Sequence, residues 1–215
     1  MNVWEVAGIA AAALSLIDPV PYLRDVLRGT TRPHRGTWFI WSVLGTTAFL
    51  AQWAEGASWS LLMIGVQGAS ITLTFVLSIW HGVGGLGAGE LVVIGLAAVG
   101  VAGWIASSEP VVATAWVILA DIAGAALMLP KTWRDPHSET LSSYTLAAAA
   151  GALGAVAVGA LELDLLLYPV YFALINAVIA ATIMLRRRTT AAANRARLRR
   201  FDEHTVQAGH ARDLG

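Results

Sequence analysis

Pro21-Tyr22-Leu23-Arg24-Asp25, resumed after a short insertion as Pro33-His34-Arg35-Gly36-Thr37-Trp38-Phe39-Ile40-Trp41, has a counterpart a hundred residues on. That counterpart is Pro130-Lys131-Thr132-Trp133-Arg134-Asp135-Pro136-His137-Ser138-Glu139-Thr140-Leu141-Ser142-Ser143-Tyr144. Each copy reads as a proline closing a helix, then Arg-Asp, then Pro-His-x-x-Thr-x-x-x-aromatic opening the next. Proline has no N–H to give, so Pro21 and Pro130 suit a bend or stop at a helix end. Pro33 and Pro136 suit the first turn of the following helix, where a missing N–H is harmless. The four prolines are the expected hinge or gate positions.

Outward from these loops the chain is apolar. Its 215 residues are 57% hydrophobic and 13% charged, with a mean hydropathy of +0.65. Soluble domains carry about a quarter charged residues, so a soluble enzyme core, a disordered chain and a secreted disulfide scaffold are all excluded. Apolar runs at 3–20, 36–53, 59–80, 90–106, 111–129, 140–161 and 165–185 are each long enough to cross hydrocarbon ~30 Å thick at ~1.5 Å per residue. Backbone polar groups in lipid must be satisfied within the segment, which makes these spans helices. The expected fold is an all-α membrane protein with seven transmembrane helices.

All 14 lysines and arginines fall between spans one and two, between five and six, or after span seven. Glu5, Glu55, Glu109, Glu162 and Asp164 lie on the opposite side, with no cation. The positive-inside rule therefore puts the N-terminus outside and the C-terminus in the cytoplasm. The expected location is a cell membrane crossed several times, the inner membrane of a bacterium. The basic tail after Leu185 suits anionic lipid headgroups; it lacks the aromatic interleaving of a nucleic-acid surface.

The duplicated loop sits between the first and second spans of each of two triplets. Spans one to three and five to seven then form parallel repeats, and span four is the linker that keeps their orientation the same. The expected division is a first repeat at 1–82, the linker at 83–109, a second repeat at 110–185 and the cytoplasmic tail at 186–215. This three-plus-one-plus-three arrangement resembles the SWEET and PQ-loop transporters, with Pro21-Tyr22 and Pro130-Lys131 where that superfamily has proline–glutamine. The Trp38 and Trp41 pair is also similar to paired tryptophans of bacterial nicotinamide-riboside transporters. The resemblance implies alternating access by rocking repeats.

Polar residues far from span ends mark candidate sites, because an unpaired polar group in hydrocarbon is costly. Gln67, Asn176 and Asp121 lie near mid-membrane, and aligning Leu62 and Gln67 with Tyr171 and Asn176 makes the two amides equivalent. With Trp41 and Tyr144 nearer the cytoplasm they suit a small-molecule cage, amides supplying donors and acceptors and rings a flat apolar face. Asp121 has no lysine or arginine within any span, which suits proton coupling. The expected substrate is a small polar metabolite resembling a sugar, nucleoside or vitamin.

No Gly-x-Ser-x-Gly elbow, His-Glu-x-x-His pair or P-loop is present, so no enzymatic activity, metal or cofactor is expected. A retinal Schiff base fails too, because the single lysine, Lys131, lies in a loop. A non-transporting seven-helix receptor, like the similarly folded KDEL receptors, or an accessory subunit stays open. So does a homo-oligomer: Ala147, Gly151, Ala155 and Gly159 form a small-residue ridge that serves either a neighbouring helix or a second copy.

Overall fold

A computed structural model describes residues 2–54, 59–85 and 87–213, with the side chains of 51–64, 110, 164, 194 and 196–213 outside the description. Every regular element among the described residues is helical. They are α1 (Val3–Ile17), α2 (Pro19–Leu27), α3 (Arg35–Ala54), α4 (Trp59–His81), α5 (Ala88–Ala106), α6 (Pro110–Arg134), α7 (Leu141–Ala157) and α8 (Leu163–Asp213), with a 3₁₀ turn at Pro136–Ser138.

Among the described residues four stretches, Val3–Leu27, Ala88–Ala106, Val111–Arg134 and Leu165–Ala193, are long and apolar enough to cross a membrane. Their apolar side chains face outward. Val3, Ile9 and Val20 on α1 and α2, Val92, Leu96 and Ile105 on α5, and Leu165 and Leu174 on α8 are all exposed. Soluble proteins rarely display contiguous apolar surface on this scale. Hydrocarbon is the solvent that such a surface fits, and the chain is a membrane protein.

The prolines act slightly differently from expectation. The first helix breaks at Asp18-Pro19, not at Pro21, which lies inside α2. Asp18 still donates its N–H to Leu14 O at 2.8 Å, so the missing N–H of Pro19 interrupts the ladder without ending the run. Gly29, at φ 72°, then turns the chain out of α2; a β-carbon would strain that left-handed backbone. α6 likewise runs through Pro130 to Arg134, closed by Asp135 N–H on Lys131 O at 2.8 Å. Pro33 precedes α3 and its carbonyl accepts from Val83 N at 2.8 Å. Pro136 opens the 3₁₀ turn rather than α7.

Packing follows a regular scheme. α1 lies against α7, and α3 against α6. α3 also packs on α4, and α7 on α8. α4 touches α1 and α2, while α8 touches α6. Exchanging α1–α2, α3 and α4 with α6, α7 and α8 maps this set of pairs onto itself. α5 alone breaks the scheme, lying on α6 and the edge of α3.

The three basic segments converge at one end of the bundle. Arg32 pairs with Asp135 at 2.5 Å, Arg35 donates to Gly84 O at 2.6 Å, and Arg186 donates to Trp133 O at 2.9 Å. Gly159, at the α7–α8 turn, faces Trp4 near the start of α1. That contact marks the opposite end.

Candidate functional site

Two polar tiers occupy the seam between the helix sets, and α6 carries a residue of each. Asp121 marks the inner tier and Lys131 the tier at the basic end. Ten residues of helix separate them by ~15 Å.

At the inner tier, Tyr171 of α8 donates its hydroxyl to Asp121 Oδ2 at 2.5 Å. Trp41 of α3 donates its indole N–H to the Asp121 backbone carbonyl at 3.4 Å. One turn further, Thr37 Oγ1 donates to Gly124 O at 2.7 Å. Gly124 is required here, since a β-carbon would meet Trp41 Nε1 at 2.8 Å. Aromatic contacts extend from both flanks: Trp41 meets Trp38 edge-on at 5.2 Å, and Tyr168 lies 6.4 Å from Tyr171 and stacks on Phe172. Asp121 is therefore bounded by α3 of one helix set and α8 of its own.

The outer tier is built on Glu139, whose side chain is fully buried. Glu139 Oε2 accepts from Tyr22 OH at 3.0 Å and Tyr144 OH at 3.1 Å. Glu139 Oε1 pairs with the ammonium of Lys131, which also donates to Arg32 O and, at 3.4 Å, to Ser138 O. Trp38 Nε1 donates to Tyr22 OH at 3.1 Å. A carboxylate without water must be both paired and hydrogen-bonded to persist. Here one cation and two hydroxyls achieve it, inside an apolar cluster with Val26, Met128, Ile179 and Ile183.

A further layer ties the same two segments. Thr31 Oγ1 and Thr140 Oγ1 lie 2.7 Å apart, and Thr140 donates to Asp25 Oδ2 at 3.0 Å. Arg187 of α8 caps the turn through Pro136 O at 3.1 Å and Glu139 O at 2.7 Å. The two threonine bonds, with Tyr22 on Glu139 and Lys131 on Arg32 O, join the first loop copy to the second.

The residues singled out from sequence divide between the tiers. Asp121 and Trp41 come together at the inner one. Tyr144 joins Glu139 at the outer one. Asn176 is buried, but its amide donates to Phe172 O at 2.9 Å in its own helix. Gln67 is half-buried on α4, and no hydrogen bond joins it to Asn176 among the described residues. Two concavities, of about 360 and 640 Å³, open at the basic end; none of Gln67, Asp121 and Asn176 lines either. Tyr22, Lys131, Glu139 and Tyr171 escaped the reading by depth. One sign of Glu139 was available, since it is an acid at the position held by Gly36 in the first copy.

His34 links α5 to this end. Its Nε2 lies 3.3 Å from Glu90 Oε1, and Glu90 in turn accepts from Gly85 N at 3.0 Å and Gly87 N at 3.0 Å. Burial, reinforced by the charges of Lys131 and Arg35 against the opposing pull of Glu90, holds the imidazole below its ordinary 6.5. A base with a lowered pKa binds fewer protons folded than unfolded. Its stabilising contribution is thus complete above 6.5 and lost as pH falls through the folded value. Thermal unfolding in detergent between about pH 5 and pH 8 should show midpoints that fall toward acid, and His34→Gln should flatten that limb. An unchanged slope in the variant would assign the acid sensitivity elsewhere.

Comparison with protein-family models, with curated proteins and with solved structures finds no match for this chain.

Proposed function

We propose that this chain is a transporter of a small polar metabolite working by alternating access. Seven segments cross the membrane, with the N-terminus outside and the C-terminus cytoplasmic, as two parallel triplets joined by α5. The observation carrying this reading is the packing scheme, which is unchanged when the triplets are exchanged. Such a pair of similar bodies can rock about a shared seam.

On this reading the inner tier is the transport site. Asp121 and Tyr171 offer an acceptor and a hydroxyl, and Trp41 offers a ring face, all at the seam. Asp121 takes up a proton on one side and releases it on the other. The Glu139 tier is the cytoplasmic gate, because its bonds between the two loop copies must part for the seam to open inward. Pro19, Pro21 and Pro130 lie where α1–α2 and α6 would flex.

One finding favours the second reading, a receptor or accessory subunit. Both concavities open at the basic end, and the Asn176 amide is used by its own helix. A single experiment separates the two. Full-length protein in detergent is melted against sugars, nucleosides, vitamins and amino acids at about pH 5.5 and 7.5. A ligand that binds the folded state raises the melting temperature. Transport through the inner tier predicts a stabilising ligand whose effect disappears in Asp121→Asn and weakens in Tyr171→Phe, with uptake into proteoliposomes lost in parallel. A panel without any shift, or a hit indifferent to Asp121→Asn, would overturn this site.

A further inference from the structure

The smaller concavity, of about 360 Å³, lies where the first basic loop, the α4–α5 turn and the end of α6 meet. Arg32, Lys131 and Arg134 line it, against a single lining carboxylate, Asp135. Two of these cations are committed to the fold. Arg32 holds Asp135 at 2.5 Å, and Lys131 holds the buried Glu139. Arg134 is different. It is exposed, and it makes no hydrogen bond or ion pair with any described residue. It stands in the last turn of α6, on the wall of the cleft.

The floor is apolar, formed by Val83, Leu127 and Pro130. Cations above an apolar floor, at the level where the apolar stretch of α6 gives way to charge, match the boundary between a phosphate and an acyl chain. Basic pockets between membrane helices on the cytoplasmic side bind anionic lipid heads on this principle. The volume is also within the usual range for small-ligand sites, ~300–1,000 Å³.

The geometry points to a phosphate-binding site in this cleft, with Arg134 as its uncommitted cation and Arg32 contributing its remaining guanidinium donors. A guanidinium suits a phosphate because its planar fork meets two oxygens at once. The apolar floor makes a phospholipid head the favoured bearer of that phosphate, and a soluble phosphate the other source. The site is separate from the basic tail that the sequence points to for lipid contact. It bridges Arg32 of one loop copy and Arg134 of the other, so an occupant would brace the seam beside the Glu139 tier.

The test uses full-length protein in detergent with dioctanoyl-phosphatidylglycerol, dioctanoyl-phosphatidylcholine and inorganic phosphate, read by native mass spectrometry and melting temperature. The glycerol lipid should bind at least several-fold more tightly than the choline lipid. Arg134→Gln should weaken it roughly fivefold, the equivalent of about 1 kcal/mol per surface cation. A tail variant with Arg195, Arg197, Arg199 and Arg200 all changed to Gln should leave that difference in place. If inorganic phosphate stabilises the protein and Arg134→Gln abolishes the effect while the lipids are equivalent, the site stands and its occupant is soluble. Arg134→Gln without effect on any probe, or a preference lost only in the tail variant, would overturn it. These outcomes do not depend on whether the chain transports.

Discussion

Lys131→Met should cost about 3–5 kcal/mol of folding stability, the usual penalty for removing one partner of a buried ion pair. The reason is what remains behind. Glu139 is fully buried, and its two tyrosine donors alone would have to stabilise a full negative charge. Lys131 also satisfies the carbonyl of Arg32, which belongs to the other loop copy, so the loss loosens the contact between copies. Methionine has a similar apolar length and keeps most of the packing. Unfolding in mixed micelles measures the loss, and Glu139→Gln introduced beside Lys131→Met should recover a good part of it by removing the stranded charge. Tyr22→Phe removes one hydroxyl donor to a charged acceptor and should cost less, about 1.5–3 kcal/mol. If Lys131→Met were as stable as the parent and the double variant no better, Glu139 would not be a charged, dry partner, and the gate role would lose its physical basis.

What could be read from the sequence followed from the range of the forces involved. Five of the seven apolar segments lie wholly within one helix, the first is interrupted at Asp18 and the sixth outruns α7, which ends at Ala157; apolarity and length are local properties, and hydrocarbon leaves the backbone little alternative. Asp121 stood out for the same local reason, as a carboxylate about ten residues from either end of its segment. Its partner did not, because Tyr171 is fifty residues away and reaches Asp121 only through the packing of α8 on α6. Glu139 was harder still. In sequence it is one acid in a basic loop, and its burial depends on Tyr22, 117 residues earlier. Asn176 shows a different limit of sequence. Its depth pointed to a cage, but an amide in a helix has the carbonyl one turn back within reach, and Phe172 O takes its donor. The proline positions were off by a few residues because a proline in the last turn of a helix removes a single bond. The run of α6 therefore survives Pro130.

Gly151→Val should be the most disruptive single substitution within the apolar bundle. A β-carbon there would lie 2.6 Å from Ala173 N and 2.9 Å from Ala173 Cα. Those atoms are backbone of α8 and cannot turn aside as a side chain would, so α7 and α8 must separate. Overpacking of a close-packed interior costs about 1–3 kcal/mol even where side chains can adjust, and a rigid backbone neighbour puts this site at or above the top of that range. The small-residue ridge on α7 was consistent with a neighbouring helix or with a second copy of the chain. The structure places Gly151 of that ridge against Ala173 of α8, and Gly159, just past the end of α7, against Trp4 of α1, both within one molecule. Gly95 on α5 provides the contrast, with nothing within 4 Å of its added β-carbon; Gly95→Ala should be neutral or slightly stabilising, since alanine is favoured over glycine in helices by up to about 1 kcal/mol. Melting temperature and native mass, measured together, decide between the two roles of the ridge. A seam inside the molecule predicts that Gly151→Val lowers the melting temperature steeply at unchanged mass. A Gly151→Val protein that kept its melting temperature and only fell from oligomer to monomer would move the ridge to the outside of the bundle.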